Sequence, residues 1–196
     1  MPDIERLRHN LEKRDFHTSY FPTAADAAAY LNEKLDGRTV GIGGTVTAME
    51  LGLDKSLPPH STVHWHWLSG SQADAANTEV YLSSVNGVAE SGELVNIDGT
   101  GNRVSSTIFG HKALYIVIGV NKIAPDYDSA LWRARNIAAP KNAQRLKRKT
   151  PCAVKGDRCY DCESPERICR ALVVLWEKPT AIAYAEVVIV GEELGF

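Results

Sequence analysis

The sequence predicts an α/β fold: a mostly parallel sheet flanked by helices. Three observations carry that prediction. Residues 80–85 and 113–119 are apolar runs, the pattern of strands covered on both faces, and Thr39-Val40-Gly41-Ile42 is a further short strand. Segments with helical spacing of apolar residues alternate with them. A glycine turn, Gly41-Ile42-Gly43-Gly44-Thr45, joins one such strand to a helix start, the connection that open parallel sheets place beside their ligands.

In chain order, Ile4, Leu7 and Leu11 share one face of an opening amphipathic helix. Thr23 and Asp26 form a capping box, with Asp in the place of the usual Glu, ahead of a helix over Ala24–Leu35 that Gly37 stops. The strand at 39–42 follows, then the glycine turn and a helical stretch over 46–53. Residues 62–67 alternate, with Val63, Trp65 and Trp67 on one face of a strand and His64 and His66 on the other. Two buried strands come next, at 80–85 and 113–119, and Gly99-Thr100-Gly101-Asn102 marks a turn between them. Residues 126–138 read as a helix, 139–149 as a basic solvent-facing stretch, and 171–175 and 185–190 as closing strands.

A chain of 196 residues is most simply one domain, 1–196, here with a four-cysteine insert at about 150–170. Its formal net charge of −2 argues for no nucleic acid and no membrane surface as partners. No apolar run approaches the roughly 20 residues that span a bilayer, and the first ten residues lack the hydrophobic segment of a secretory signal. A soluble, cytoplasmic protein is expected.

The glycine turn is not the dinucleotide fingerprint, because Val46 stands where the last glycine belongs. Its physics still holds. Glycines let backbone approach a ligand, and free N–H groups at a helix start attract anions. Thr45 and Thr47 add hydroxyl donors; the plainer alternative is a tight turn capped by Thr45. The four cysteines follow the pattern Cys152-x6-Cys159-x2-Cys162-x6-Cys169. Thiolates this close in sequence can converge on one metal centre, and Pro151, Gly156 and Pro165 favour a looped backbone around them. Only the middle pair is short, which favours a cubane iron–sulfur cluster over zinc; two disulfides are the competing reading, disfavoured in a reducing compartment. His64 and His66 could chelate a metal but more often form the polar face of a strand. Glu90 and Glu93 flank Ser91-Gly92 as candidate acid/base or nucleophilic residues. Lys141, Arg145, Lys147, Arg148 and Lys149 form either an anion-binding rim or a solvated face.

Several stretches resemble one family. Gly43-Gly44-Thr45-Val46-Thr47 with Glu50-Leu51-Gly52-Leu53 resembles the glycine turn of LUD-domain proteins, the lactate-utilisation family. The stretch Glu90-Ser91-Gly92-Glu93-Leu94-Val95-Asn96 resembles their central turn and strand, as does Gly99-Thr100-Gly101-Asn102-Arg103. Gly119-Val120-Asn121-Lys122-Ile123 resembles the end of the next strand. Asn136-Ile137-Ala138-Ala139-Pro140, the cysteines and the closing Gly191-Glu192-Glu193-Leu194-Gly195-Phe196 resemble a four-cysteine branch of the family. The resemblance implies the fold shared by glucosamine-phosphate deaminase, ribose-phosphate isomerase and CoA transferases. It adds Asn102 and Arg103 to Gly43, Gly44, Thr45 and Thr47 as ligand-binding candidates. It further implies a small anionic substrate, other lactate-utilisation subunits or a second copy as partners, and an oxidoreductase component holding an iron–sulfur cluster or zinc at Cys152, Cys159, Cys162 and Cys169. The competing expectation is an isomerase- or transferase-like enzyme for a phosphorylated or CoA-type ligand, with structural zinc. A non-catalytic partner subunit is the third.

Overall fold

The computed structural model describes residues 2–68 and 70–196. Helix α1 (Ile4–Glu12) starts at Asp3, whose carboxylate accepts from the Arg6 N–H, and buries Leu7 and Leu11. Strand β1 (His17–Phe21) leads to α2 (Ala24–Leu35), where Thr23 caps the Asp26 N–H as the sequence predicts. Then come β2 (Thr39–Ile42), α3 (Val46–Glu50), α4 (Leu53–Ser56), β3 (Thr62–Trp65), α5 (Gln72–Ala76) and β4 (Val80–Ser83). The chain continues through β5 (Gly87–Ala89), β6 (Leu94–Asp98), α6 (Asn102–Ser106), β7 (Ala113–Gly119), a 3-10 turn (Val120–Lys122) and β8 (Ile123–Ala124). It closes with α7 (Tyr127–Arg133), a π-helical turn (Ala134–Ala138), α8 (Ala139–Arg145), α9 (Pro151–Lys155), β9 (Ala171–Leu175) and β10 (Tyr184–Val190).

Six strands form one all-parallel sheet in the order β1-β10-β7-β4-β2-β3, flanked by helices. The central strands look continuously apolar because both faces are covered. Leu114, Ile116 and Ile118 of β7 join one core cluster with Leu7, Leu11 and Phe16. Ala113, Tyr115 and Val117 join the other, with Leu31, Leu35 and Trp65. Successive side chains of a strand point to opposite faces, so each core takes alternate residues. Each large side chain buried this way stabilises by about 1.5–3 kcal/mol. Gly41 is required at its site: a Cβ there would lie 2.1 Å from the Ala75 carbonyl oxygen, where the end of α5 crosses β2.

The structure adds elements that the sequence pattern does not announce. Strand β1 is an edge strand with a mixed burial pattern and no clean alternation. A second sheet, β8-β5-β6-β9, is mixed: β6 runs antiparallel to β5 and β9, and β5 parallel to β8. Residues 171–175 therefore close this second sheet and not the main one. The alternation at 62–67 outlasts its strand: β3 ends at Trp65 and the chain turns, carrying His66 and Trp67 off the sheet. The helix expected at 126–138 runs on through the π-helical turn into α8, so part of the basic stretch is helical. Among the described residues, no helix is long and apolar enough to cross a membrane.

Candidate functional site: an arginine-rimmed pocket beside the cysteine loop

Three neighbouring parallel strands, β2, β4 and β7, end together, and ligands of open sheets lie beyond such ends. After β2 come Gly43 and Gly44, and Thr45 caps α3 by accepting from the Ala48 N–H. After β4 comes Ser84. After β7 comes Lys122. The Lys122 ammonium donates to Thr47 Oγ1 and to Ser84 Oγ, both at 2.9 Å, and all three residues are buried. Burial, helped by the Arg133 and Arg103 charges, holds the Lys122 pKa down to about 7, with Glu50 pulling weakly the other way. Lys122, Thr45 and Ser84 line a small chamber of about 70 Å³.

Gly44, Trp67, Asn86, Ile97, Arg103 and Asn142 border both that chamber and a larger pocket of about 460 Å³ outside it. One wall of the larger pocket is the glycine turn with the 98–103 turn. The other is α8 and the chain that carries the cysteines, which contribute Arg145, Arg148, Arg167 and Arg170. Asp98 and Glu166 are the carboxylates of the lining, and both are engaged. Asp98 pairs with Arg103 at 3.4 Å and accepts from the N–H groups of Thr100 and Gly101, while Glu166 accepts from the Lys149 N–H. The pocket therefore carries an excess of positive charge, the field that collects small anions.

Arg103 shapes this wall more than it offers bonds to a ligand. Its guanidinium donates to Ser84 O, Asn96 Oδ1, Asn86 Oδ1 and Ile97 O, and its Nε faces Asp98. The four N–H groups of its two terminal nitrogens are thus engaged by protein and its Nε side is ion-paired, so the group supplies charge and rigidity. Desolvation lowers its pKa, with Asp98 opposing. Arg145 lies over the Trp67 ring at 4.5 Å, and Trp67 would stand 3.1 Å from a Cβ on Gly44. Glycine at position 44 keeps that mouth open. His66 also lines the pocket; burial lowers its pKa, and its Nδ1 has no partner among the described residues.

The four cysteines are free thiols, each half-buried. Cys152 sits in the first turn of α9 beside the Thr150 hydroxyl at 3.3 Å. Cys159 accepts the Asp161 N–H at 3.3 Å on its sulfur, and Asp161 takes a left-handed backbone with φ of 44°. Arg167 gathers the loop, donating to the carbonyls of Cys162 and Cys169 and to the Asp161 carboxylate. Its pKa is raised, chiefly by the Cys169 charge beside it. Cys159 and Cys169 face one hollow that shares Ile97, Ala139, Arg167 and Arg170 with the larger pocket. Among the described residues, no three His, Cys, Asp or Glu side chains gather closely enough to hold a metal ion. The donor set thus suits a soft metal in kind, but the sulfurs are not assembled around one point.

Of the ligand-binding residues expected from sequence, Gly44, Asn102 and Arg103 line the larger pocket and Thr45 the chamber. Thr47 reaches the same place through Lys122. Gly43 packs beneath, where a Cβ would meet the Tyr81 hydroxyl at 2.7 Å. Glu90 and Glu93 line neither cavity. Glu90 accepts from the Asp3 N–H and pairs with Arg6, while Glu93 pairs with Arg14 at 2.6 Å, so their turn docks helix α1. His64 and His66 are separated by the end of β3. The residue that sequence reasoning passed over is Lys122. Its signal was a lysine set between a buried strand and Ile123.

Residues 4–190 match the family model of the LUD domain. Among solved structures, the chain is similar to the crystal structure of a DUF162 family protein from Deinococcus radiodurans. Sequence identity is 10%, 96% of each chain is covered and the TM-score is 0.56. At that identity the likeness speaks for the fold alone. No curated protein matches the chain.

Proposed function

The chain belongs to the LUD-domain family, and on that footing we propose that it binds a small carboxylate in lactate or hydroxy-acid utilisation, as a redox protein or subunit. The observation that carries this reading is the pocket with Gly44 on one wall and Arg145, Arg148, Arg167 and Arg170 on the other. Arginines outnumber carboxylates on its lining, and of the two carboxylates Asp98 is paired with Arg103 while Glu166 accepts from the Lys149 N–H. Calorimetric titration with pyruvate, L-lactate, coenzyme A and ribose 5-phosphate tests it. Pyruvate or lactate should bind, and Arg145→Ala with Arg148→Ala should weaken binding by about tenfold or more, the effect of losing charge-assisted contacts. Binding of coenzyme A or ribose 5-phosphate alone would favour the isomerase- or transferase-like alternative.

A second reading concerns the thiols. Cys152, Cys159, Cys162 and Cys169 are proposed as ligands of an iron–sulfur cluster, with zinc as the alternative. Support comes from the free state of the thiols, the N–H donated to the Cys159 sulfur and the Arg167 cation beside Cys169. When bound, such a cluster supplies one-electron transfer. Holding it requires the loop at 157–170, which has neither helix nor strand, to draw its sulfurs together.

A further inference from the structure

We propose that Lys122 is a covalent nucleophile whose amine condenses with the carbonyl group of a small oxo acid held in the arginine-rimmed pocket. The proposal rests on the small-anion reading above and adds the reacting atom to it.

The geometry points this way on three counts. Lys122, in the 3-10 turn that follows β7, meets Ser84 just after β4 and Thr47 in the first turn of α3, so the segments that follow three parallel strands converge on one nitrogen. Among the described residues, that nitrogen hydrogen-bonds only to neutral hydroxyls. A lysine buried for packing alone ordinarily rests against a carboxylate, because an unpaired ammonium is costly away from water. Here the nearby charges include the guanidinium groups of Arg103 and Arg133, and the exposed Glu50 is engaged with the Gly195 N–H at 2.6 Å. The surroundings therefore favour the neutral amine, the form that attacks carbonyls. Finally, Lys122 lines the 70 Å³ chamber, and that chamber shares Gly44, Trp67 and Arg103 with the larger pocket. An acid whose carboxylate stays with the arginines outside can direct a carbonyl inward, which selects an oxo acid over a simple carboxylate.

The step balances without an oxidant or reductant. The lysine nitrogen attacks the carbonyl carbon, a C–N bond forms, and the carbonyl oxygen takes up a proton. The resulting carbinolamine loses that oxygen as water, and the C=N bond of an imine forms. One amine and one carbonyl give one imine and one water. The hydroxyls of Thr47 and Ser84, already in contact with the nitrogen, stand where protons pass between nitrogen and oxygen.

Borohydride trapping on the whole chain tests the idea. The protein is incubated with pyruvate, reduced, digested and analysed by mass spectrometry. The peptide containing Lys122 should gain the mass of pyruvic acid less one oxygen atom, at a pyruvate concentration that leaves surface lysines unmodified. Propanal, a neutral carbonyl, serves as a parallel probe, and calorimetry reports pyruvate binding in the same preparation. If pyruvate binds and Lys122 stays unmodified, the nucleophile is overturned while the pocket reading stands. If pyruvate does not bind and propanal is trapped at Lys122, the pocket reading falls and the nucleophile stands. Labelling of Lys122 no faster than of exposed lysines overturns the proposal in every case.

Discussion

Lys122 leaves the sheet at the end of β7 and turns back under the C-terminal segment, and this position decides its protonation. Its pKa of about 7 lies below that of a lysine in the unfolded chain, about 10.4. Between those values the unfolded chain holds a proton that the folded chain lacks, so this residue makes stability rise with pH across that window. Below it, both states are protonated and the full cost of burying the ammonium remains. Lys122→Met removes the effect. Compared by urea unfolding, the variant's advantage over the parent should shrink by up to about 1.4 kcal/mol per pH unit between roughly pH 7.5 and 9.5. A difference independent of pH would mean that the lysine is charged in the fold. At this scale, the glycine turn and the Thr45 cap were legible, because glycine pairs and capping hydroxyls act locally. Lys122 was not, because its meaning depends on Ser84 and Thr47, which lie 38 and 75 residues away in sequence.

Among the elements, the loop at 157–170 carries three of the four cysteines and has neither helix nor strand. Arg167 and the Asp161 carboxylate hold it, and Asn136 of the π-helical turn accepts the Cys159 N–H at 3.2 Å. Anaerobic reconstitution with iron and sulfide should give a brown protein whose visible absorbance is lost in Cys159→Ser. A colourless protein that retains zinc would select the alternative, and one that retains neither metal, with all four thiols titratable, would contradict a metal role. The sequence made the cysteine spacing plain but could not say how the thiols stand in space. The same limit explains the other differences in elements. Strands β2, β4 and β7 announce themselves because both faces are covered. Edge strand β1 and the short β8 gain their order from partners distant in sequence, which periodicity does not see. The turn at 90–93 was read as a source of acid/base groups. Its observed partners are in α1 and just after it: Asn10 donates to the Glu90 carbonyl and Arg14 to the Ser91 carbonyl.

At the scale of the whole molecule, the pocket lies where the two sheets meet. The main sheet brings the ends of β2 and β4, the second sheet brings Ile97 and Asp98 of β6, and α8 with the cysteine-bearing chain closes the remaining side. Arg103 ties these layers together, since its partners include Ser84 after β4 and both Asn96 and Ile97 of β6. Arg133 does the same from α7, donating to Asn121 O at 2.7 Å and Asn86 O at 2.5 Å. The α/β class and the parallel sheet were legible because buried runs alternate with helical ones; the second sheet and its junction were not, because they arise from pairing between β6 and β9, far apart in the chain. The central claim is that this junction holds a small carboxylate between the glycine turn and the arginines. A crystal structure of the protein grown with pyruvate tests it most directly. Density for the acid is expected within the pocket, its carboxylate toward Arg145 and Arg148 and its carbonyl toward Lys122. An empty pocket at saturating pyruvate, or pyruvate bound only elsewhere on the chain, would contradict it.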